Sequence, residues 1–229
     1  METLKLIAID LDGVLLKDTY SPILYQTIIE MGAEYTRDLE RNLFSRKREE
    51  GSKYFREKFK LQEYSHEDMV NGFFQRRNEY IAKHGKGILE GVPEFLDMLA
   101  TLDVQLVCYG GLEENYIKDD MGEYLHRFEQ YICTNDFRPG IKEITKDYYN
   151  FEYSEVLFLD DVNTVAEAAK ALNVPFIGVP SNEPWSWQKK DMIETGVKYM
   201  VNSVSEIDEN MIYRIDEESK AGSFWNVKI

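Results

Sequence analysis

The hydrophobic and polar positions change period several times along the chain. Short runs rich in branched and aromatic residues occur at 4–9, 104–109, 130–133, 156–159 and 175–179. Runs of that length and composition read as buried strands. Between most of them the spacing turns helical, and Asn163-Thr-Val-Ala-Glu-Ala-Ala-Lys-Ala-Leu172 is built from strong helix formers. Strands alternating with helices predict an α/β fold, a Rossmann-like parallel sheet with helices on both faces. Residues 17–88 break this rhythm, because they hold no convincing strand. Their apolar residues fall at helical spacing through Leu24, Ile28, Ile29 and Met31, then Met69, Phe73, Phe74 and Ile81. The pattern predicts a core made of 1–16 and 89–229 with a helical unit, 17–88, inserted in it. Gly85-Lys86-Gly87 reads as the hinge leading back. Beyond residue 181 the pattern is less regular, and Pro184-Trp-Ser-Trp187 and Phe224-Trp225 predict aromatic packing over the core.

Composition narrows the classes of function. The chain has 229 residues, enough for a sizeable core or a core with a small second unit. No apolar run approaches membrane-spanning length. A net charge of −15 argues against nucleic acid or an anionic membrane as partner. The first strand begins almost at once, without the pattern of a secretory signal. Cys108 and Cys133 lie in apolar segments and read as core residues of a reducing compartment, so a cytoplasmic monomer or homodimer is expected.

Candidate chemistry starts where the first strand ends, at Ile9-Asp10-Leu-Asp12-Gly13-Val14. Two residues apart on an extended strand, Asp10 and Asp12 project from the same face. Like charges held that close are costly unless a cation or a reaction uses them. The pattern suggests a divalent metal and a nucleophilic carboxylate. A second apolar strand, Val156-Leu-Phe-Leu-Asp160-Asp161, also ends in carboxylates. Parallel sheets gather ligands at the carboxyl ends of their strands. Four carboxylates with no nearby His or Cys fit Mg²⁺ better than zinc or copper.

With these two motifs the chain resembles the haloacid dehalogenase (HAD) superfamily, in particular phosphatase-like members with a cap after the first motif. Asp10-Leu-Asp12-Gly-Val resembles the family's first motif, and Phe158-Leu-Asp-Asp161 with the Ala-rich helix resembles its fourth. Leu89-Glu-Gly-Val-Pro-Glu-Phe-Leu-Asp-Met-Leu99 resembles the lead-in to the second core strand. The resemblance implies that Asp10 attacks phosphorus and that Asp12 serves as general acid, then base. It implies Mg²⁺ held by Asp10, the Asp12 backbone carbonyl and Asp161, with Asp160 either supporting these ligands or serving as an alternative ligand. It also implies a phosphate-binding cation. Lys142 is the preferred candidate, since a compact ammonium suits a crowded site, and Arg138, directly before Pro139, is the alternative.

The second motif departs from the family pattern. Where the family places a Ser or Thr, Val104-Gln-Leu-Val-Cys-Tyr-Gly-Gly111 brings Tyr109 to the expected position. Gly110 and Gly111 then remain as backbone donors to phosphate. In the helical unit, Arg46, Lys47, Arg48, Lys53, Arg56 and Lys58 form a basic cluster. It either steers a phosphorylated substrate, chiefly through Arg46 and Lys47, or forms a solvated face paired with Glu40, Glu49, Glu50 and Glu57. The expected activity is Mg²⁺-dependent hydrolysis of a small phosphorylated metabolite. The alternatives are a phosphomutase acting on a sugar phosphate and a HAD-fold binding protein with little turnover.

Overall fold

The computed structural model describes residues 1–225. Six parallel strands form one sheet: β1 (Leu6–Asp10), β2 (Gln105–Gly110), β3 (Tyr131–Cys133), β4 (Val156–Asp160), β5 (Phe176–Gly178) and β6 (Tyr199–Met200). Their order across the sheet is β3-β2-β1-β4-β5-β6. β1 lies inside the sheet, between β2 and β4, and both of its faces are covered. Leu6, Ile7, Ala8 and Ile9 have no exposed surface, as a continuously apolar strand of a parallel sheet requires. Each fully buried Leu or Ile contributes roughly 1.5–3 kcal/mol of transfer free energy. The start of the chain is held by Asp216, whose carboxylate accepts the backbone N–H groups of Glu2, Thr3 and Leu4 at 2.8, 3.0 and 2.6 Å.

Around the sheet lie α5 (Val92–Leu99), α6 (Glu114–Met121), α7 (Asn163–Leu172), α8 (Gln188–Thr195) and α9 (Glu209–Lys220). The chain runs from β1 outward to β3, then returns to the other side of β1 for β4. That reversal is the switch point of the sheet, where a crevice opens at the strand ends.

Between β1 and α5 come four helices, α1 (Ser21–Glu30), α2 (Arg37–Leu43), α3 (Arg48–Phe59) and α4 (His66–His84). Ser65 and Asp68 close a capping box at the start of α4, and Thr36 caps α2. These helices enclose a hydrophobic cluster of their own, centred on Leu24, Ile28, Leu39, Phe44 and Phe55 and separate from the core of the sheet. The two passages between the sheet and the helices run side by side. Lys17 donates to the Gly87 carbonyl at 3.0 Å, and Leu89 donates to the Leu15 carbonyl at 2.9 Å.

The carboxyl-terminal aromatics divide between the two clusters. Phe224 is buried in the sheet core, and the Trp225 indole donates to the Val174 carbonyl at 2.8 Å. Trp185 packs instead on the helical unit, stacked on Tyr25 with ring centroids 4.6 Å apart and edge-on to Tyr35. Its place against the helices, rather than over the core, corrects the expectation for that segment. Among the described residues, no helix is long and apolar enough to cross a membrane.

Candidate active site

The ends of β1, β2 and β4 lie next to one another, and their registers decide what meets at the crevice. Asp10 pairs with Tyr109, and Ile9 pairs with Leu159, so Asp10 and Asp160 terminate neighbouring strands. Past Asp10 the chain turns at Gly13, whose φ of 96° is a conformation that favours glycine. A Cβ at Gly13 would lie 2.6 Å from the Asp161 Oδ2, so the missing side chain lets the β1 turn and Asp161 approach each other. Asp10, Asp12, Asp160 and Asp161 line one cavity of about 570 Å³, roofed by the four helices. Lining also come Asp18 and Arg138.

This concentration of carboxylates away from water has electrostatic consequences. Burial, then the neighbouring Asp160 charge, raise Asp10 well above the usual carboxylate range, while the Arg138 guanidinium opposes the shift. Burial also raises Asp161 well above that range, reinforced by Asp160 and Asp10. Asp160 is raised to about 6 by burial, moderated by its hydrogen bonds. Asp12 is pushed up to about 8 by burial and by the Asp18 carboxylate. A buried anionic cluster of this kind is what a hard cation relieves.

The donor chemistry fits Mg²⁺. It is all oxygen, and it lies at a strand-end crevice. Asp160 has both oxygens engaged, Oδ1 by the Val162 N–H at 2.8 Å and Oδ2 by the Tyr109 hydroxyl at 2.6 Å. Among the described residues Asp161 has no such side-chain hydrogen-bond partners, and it faces the β1 turn. Among the described residues no three acidic or imidazole side chains close into a cage by themselves. The expected set draws only two carboxylates, from Asp10 and Asp161, with a backbone carbonyl as the third oxygen.

The structure redistributes several of the residues singled out in the sequence. Lys142 is exposed and does not line the cavity. Arg138 does line it, and its guanidinium lies over Gly111, where a Cβ would collide with it. The cation facing Asp10 is therefore Arg138. Tyr109 has no exposed surface and does not line this cavity. Its phenol points under the site to hold Asp160 instead of facing a substrate. At Gly110 a Cβ would meet the Tyr131 hydroxyl at 2.9 Å, so that phenol fills the space of a side chain there. Gly111 lines the main cavity, whereas Gly110 lines a small neighbouring one.

The basic cluster separates. Arg46 and Lys47 reach the cavity wall. Arg48 binds Glu113 at 2.7 Å and the Gly111 carbonyl at 2.7 Å, joining α3 to the loop after β2. Lys58 pairs with Asp38. Glu40 takes no part in a solvated face, since it is fully buried.

Asp18, Thr19 and Arg77 are site residues that the strand-end motifs do not announce. Asp18 accepts the backbone N–H groups of Tyr20 and Ser21, an arrangement announced only by Asp-x-x-Ser-Pro at the start of a helix. Thr19 donates to the Asp12 carboxylate through its backbone N–H at 3.1 Å and its hydroxyl at 3.3 Å. The same hydroxyl accepts from Arg77 Nε at 2.9 Å, so a buried arginine of α4 is one hydrogen bond removed from Asp12.

A parallel sheet of this order, with helices inserted after β1, is the fold of solved haloacid dehalogenase-like proteins. Solved structures of that fold superpose along nearly the whole chain. A β-phosphoglucomutase from Clostridium difficile is 15% identical over 95% of this chain and 99% of its own, with a TM-score of 0.68. A phosphonoacetaldehyde hydrolase-like protein from Oleispira antarctica is 15% identical over 96% of this chain and 95% of its own, also with a TM-score of 0.68. A HAD family hydrolase from Deinococcus radiodurans R1, solved with bound phosphate and sodium, is 15% identical over 89% of this chain and 93% of its own, with a TM-score of 0.58. No protein-family model and no curated protein sequence matches the chain.

Proposed function

We propose that this protein is a Mg²⁺-dependent phosphatase that forms an aspartyl-phosphate on Asp10. One observation carries the reading. Asp10 and Asp12 project from the end of β1 into the same cavity as Asp161 and Arg138, at the switch point of the sheet. Sheets of this kind place reactive groups there. The fold neighbours include a hydrolase with phosphate bound, which supports a phosphorylated substrate here.

In this reading the Asp10 carboxylate forms a bond to phosphorus as the P–O bond to the leaving alcohol breaks. Asp12 gives its proton to that leaving oxygen, then takes one from the water that displaces phosphate from Asp10. Thr19 keeps the Asp12 carboxylate oriented through two donors. Arg138 binds the phosphoryl oxygens and balances part of their charge. Tyr109 acts from below, fixing Asp160 so that the β4 end keeps its shape. Mg²⁺, held by Asp10, Asp161 and the Asp12 carbonyl, would supply charge neutralisation at the transferring oxygens. The helices above the site serve as a cap that excludes water, and Gly85 and Gly87, at φ 75° and 118°, are the hinge. Cys108 and Cys133 are free thiols, consistent with a cytoplasmic enzyme.

The test is phosphate release from a panel of monoesters, with Mg²⁺ and with EDTA. The reading expects release that needs the metal and disappears in Asp10→Asn. Turnover that survives both treatments would contradict it.

A further inference from the structure

The cavity above the carboxylates is large, and its upper part is apolar. Leu24, Leu43, Phe44, Phe55, Phe73 and Phe74, from all four helices and the link after α2, form its walls. Its volume of about 570 Å³ lies within the range of pockets that enclose drug-sized ligands. A sugar would need free donors and acceptors in that wall, because each of its hydroxyl groups loses water on entry. Several of the wall's polar side chains are already engaged with protein, Ser45 Oγ being a buried exception without a partner among the described residues. Arg48 is bound to Glu113, and Arg76 to Glu30 at 2.5 Å. The Asp68 carboxylate closes the capping box with Ser65, and the Thr27 hydroxyl donates to the Ile23 carbonyl. Ser52 Oγ lies 2.6 Å from His66 Nδ1.

A second feature, on the same wall, points the same way. Gly51 sits within α3, where glycine is less favourable than nearly any other residue. It is buried, yet the nearest atom to a Cβ built there is Leu43 Cδ2 at 3.9 Å. The sequence leaves room at a buried helical position that an ordinary side chain would occupy without a clash. A well-packed interior does not keep such space.

We infer that the phosphate ester taken by this site carries an apolar body, alkyl or aryl, that fills the wall of Phe and Leu side chains above Asp10. The inference rests on the phosphatase reading for the position of the phosphoryl group. It replaces the sugar phosphate and the small polar metabolite with a hydrophobic monoester. The lower end of the cavity, with Arg138 and the carboxylates, takes the charged head, and the helices take the body.

The test uses n-alkylphosphonates from propyl to octyl, which have no ester bond to break, titrated calorimetrically into the protein with Mg²⁺ present. Affinity should rise about fourfold per added methylene until the cavity is full, the factor that corresponds to burying one CH₂ group. Glucose 6-phosphate should bind no better than propylphosphonate. In Gly51→Leu the added side chain occupies the space, so the octyl-to-propyl affinity ratio should fall while the melting temperature does not. An affinity independent of chain length, or a sugar phosphate that binds better than octylphosphonate, would overturn the inference. Phosphate release from the matching n-alkyl phosphates separates the two readings. Chain-length-dependent binding without release would sustain the apolar pocket and sink the phosphatase. Release from short esters with flat affinities would do the reverse.

Discussion

Glu40 offers a measurable consequence of how the helical unit is attached to the sheet. It lies on α2 with no exposed surface. Its carboxylate accepts the Trp187 backbone N–H at 3.1 and 3.0 Å and the Gln188 side-chain amide at 2.6 Å. The Tyr35 hydroxyl and the Asp191 carboxylate of α8 face it, and Asp191 is itself paired with Arg37 and Arg41 of α2. Burial outweighs the hydrogen bonds and pushes Glu40 up to about 7, from an ordinary 4.5. Between those values the folded chain keeps a proton that the unfolded chain has released. Stability therefore falls as pH rises through that window, and the penalty is complete above pH 7 and absent below 4.5. At about 1.4 kcal/mol per tenfold in proton affinity, the full loss is about 3 kcal/mol, most of it between pH 5 and pH 8. Glu40→Gln keeps the shape and an acceptor oxygen but cannot titrate. Urea unfolding of both chains from pH 5 to pH 8 should show the wild type losing about 2–3 kcal/mol relative to the variant. Taking the difference removes the titration of the active-site carboxylates, which both chains share. Parallel pH profiles for the two chains would refute the reasoning.

Three further outcomes follow from the site. Tyr109→Phe leaves Asp160 Oδ2 without its donor and should lower stability by about 1–3 kcal/mol, read as the urea midpoint; an unchanged midpoint would show that the hydrogen bond contributes nothing. Arg138→Ala should raise KM for a phosphate ester about 10- to 100-fold, the loss of a charge-assisted contact, while Lys142→Ala leaves KM where it was. The opposite ranking would restore Lys142 as the phosphate-binding cation. Gly111→Ala should displace the Arg138 guanidinium and raise KM as Arg138→Ala does; wild-type kinetics in that variant would mean that Arg138 has another way to reach the site.

The strands and the acidic motifs were legible because each is local. A run such as Leu6-Ile-Ala-Ile9 has one stable environment, and the Asp10-x-Asp12 spacing is visible in the sequence, although β1 ends at Asp10 and Asp12 reaches the cavity from the turn beyond it and not by strand alternation. Boundaries were less legible. Tyr109 stands at the end of the apolar run in the sequence, whereas β2 runs on to Gly110 and the buried phenol is held on Asp160, a partner 51 residues away. Pattern also fails for elements defined by distant partners. β6 has two residues, too few for periodicity, and exists because β5 offers it an edge. Glu40 reads as one charge on a polar helix until α8 covers it, and Trp185 reads as core until Tyr25 stacks on it. The choice between Lys142 and Arg138 depends on the path after β3, which turns Arg138 into the cavity and leaves Lys142 exposed at the start of the next helical segment, and spacing carries no information on that.

The central claim is that Asp10 carries the phosphoryl group during turnover, and trapping that adduct tests it most directly. The protein, with Mg²⁺ and an alkyl phosphate, is quenched in acid within a single turnover, digested, and its peptides are weighed. The account predicts one phosphoryl group on Asp10, absent from Asp10→Asn and from samples treated with EDTA. Steady phosphate release with no adduct on Asp10, or with the phosphoryl group on another residue, would contradict it.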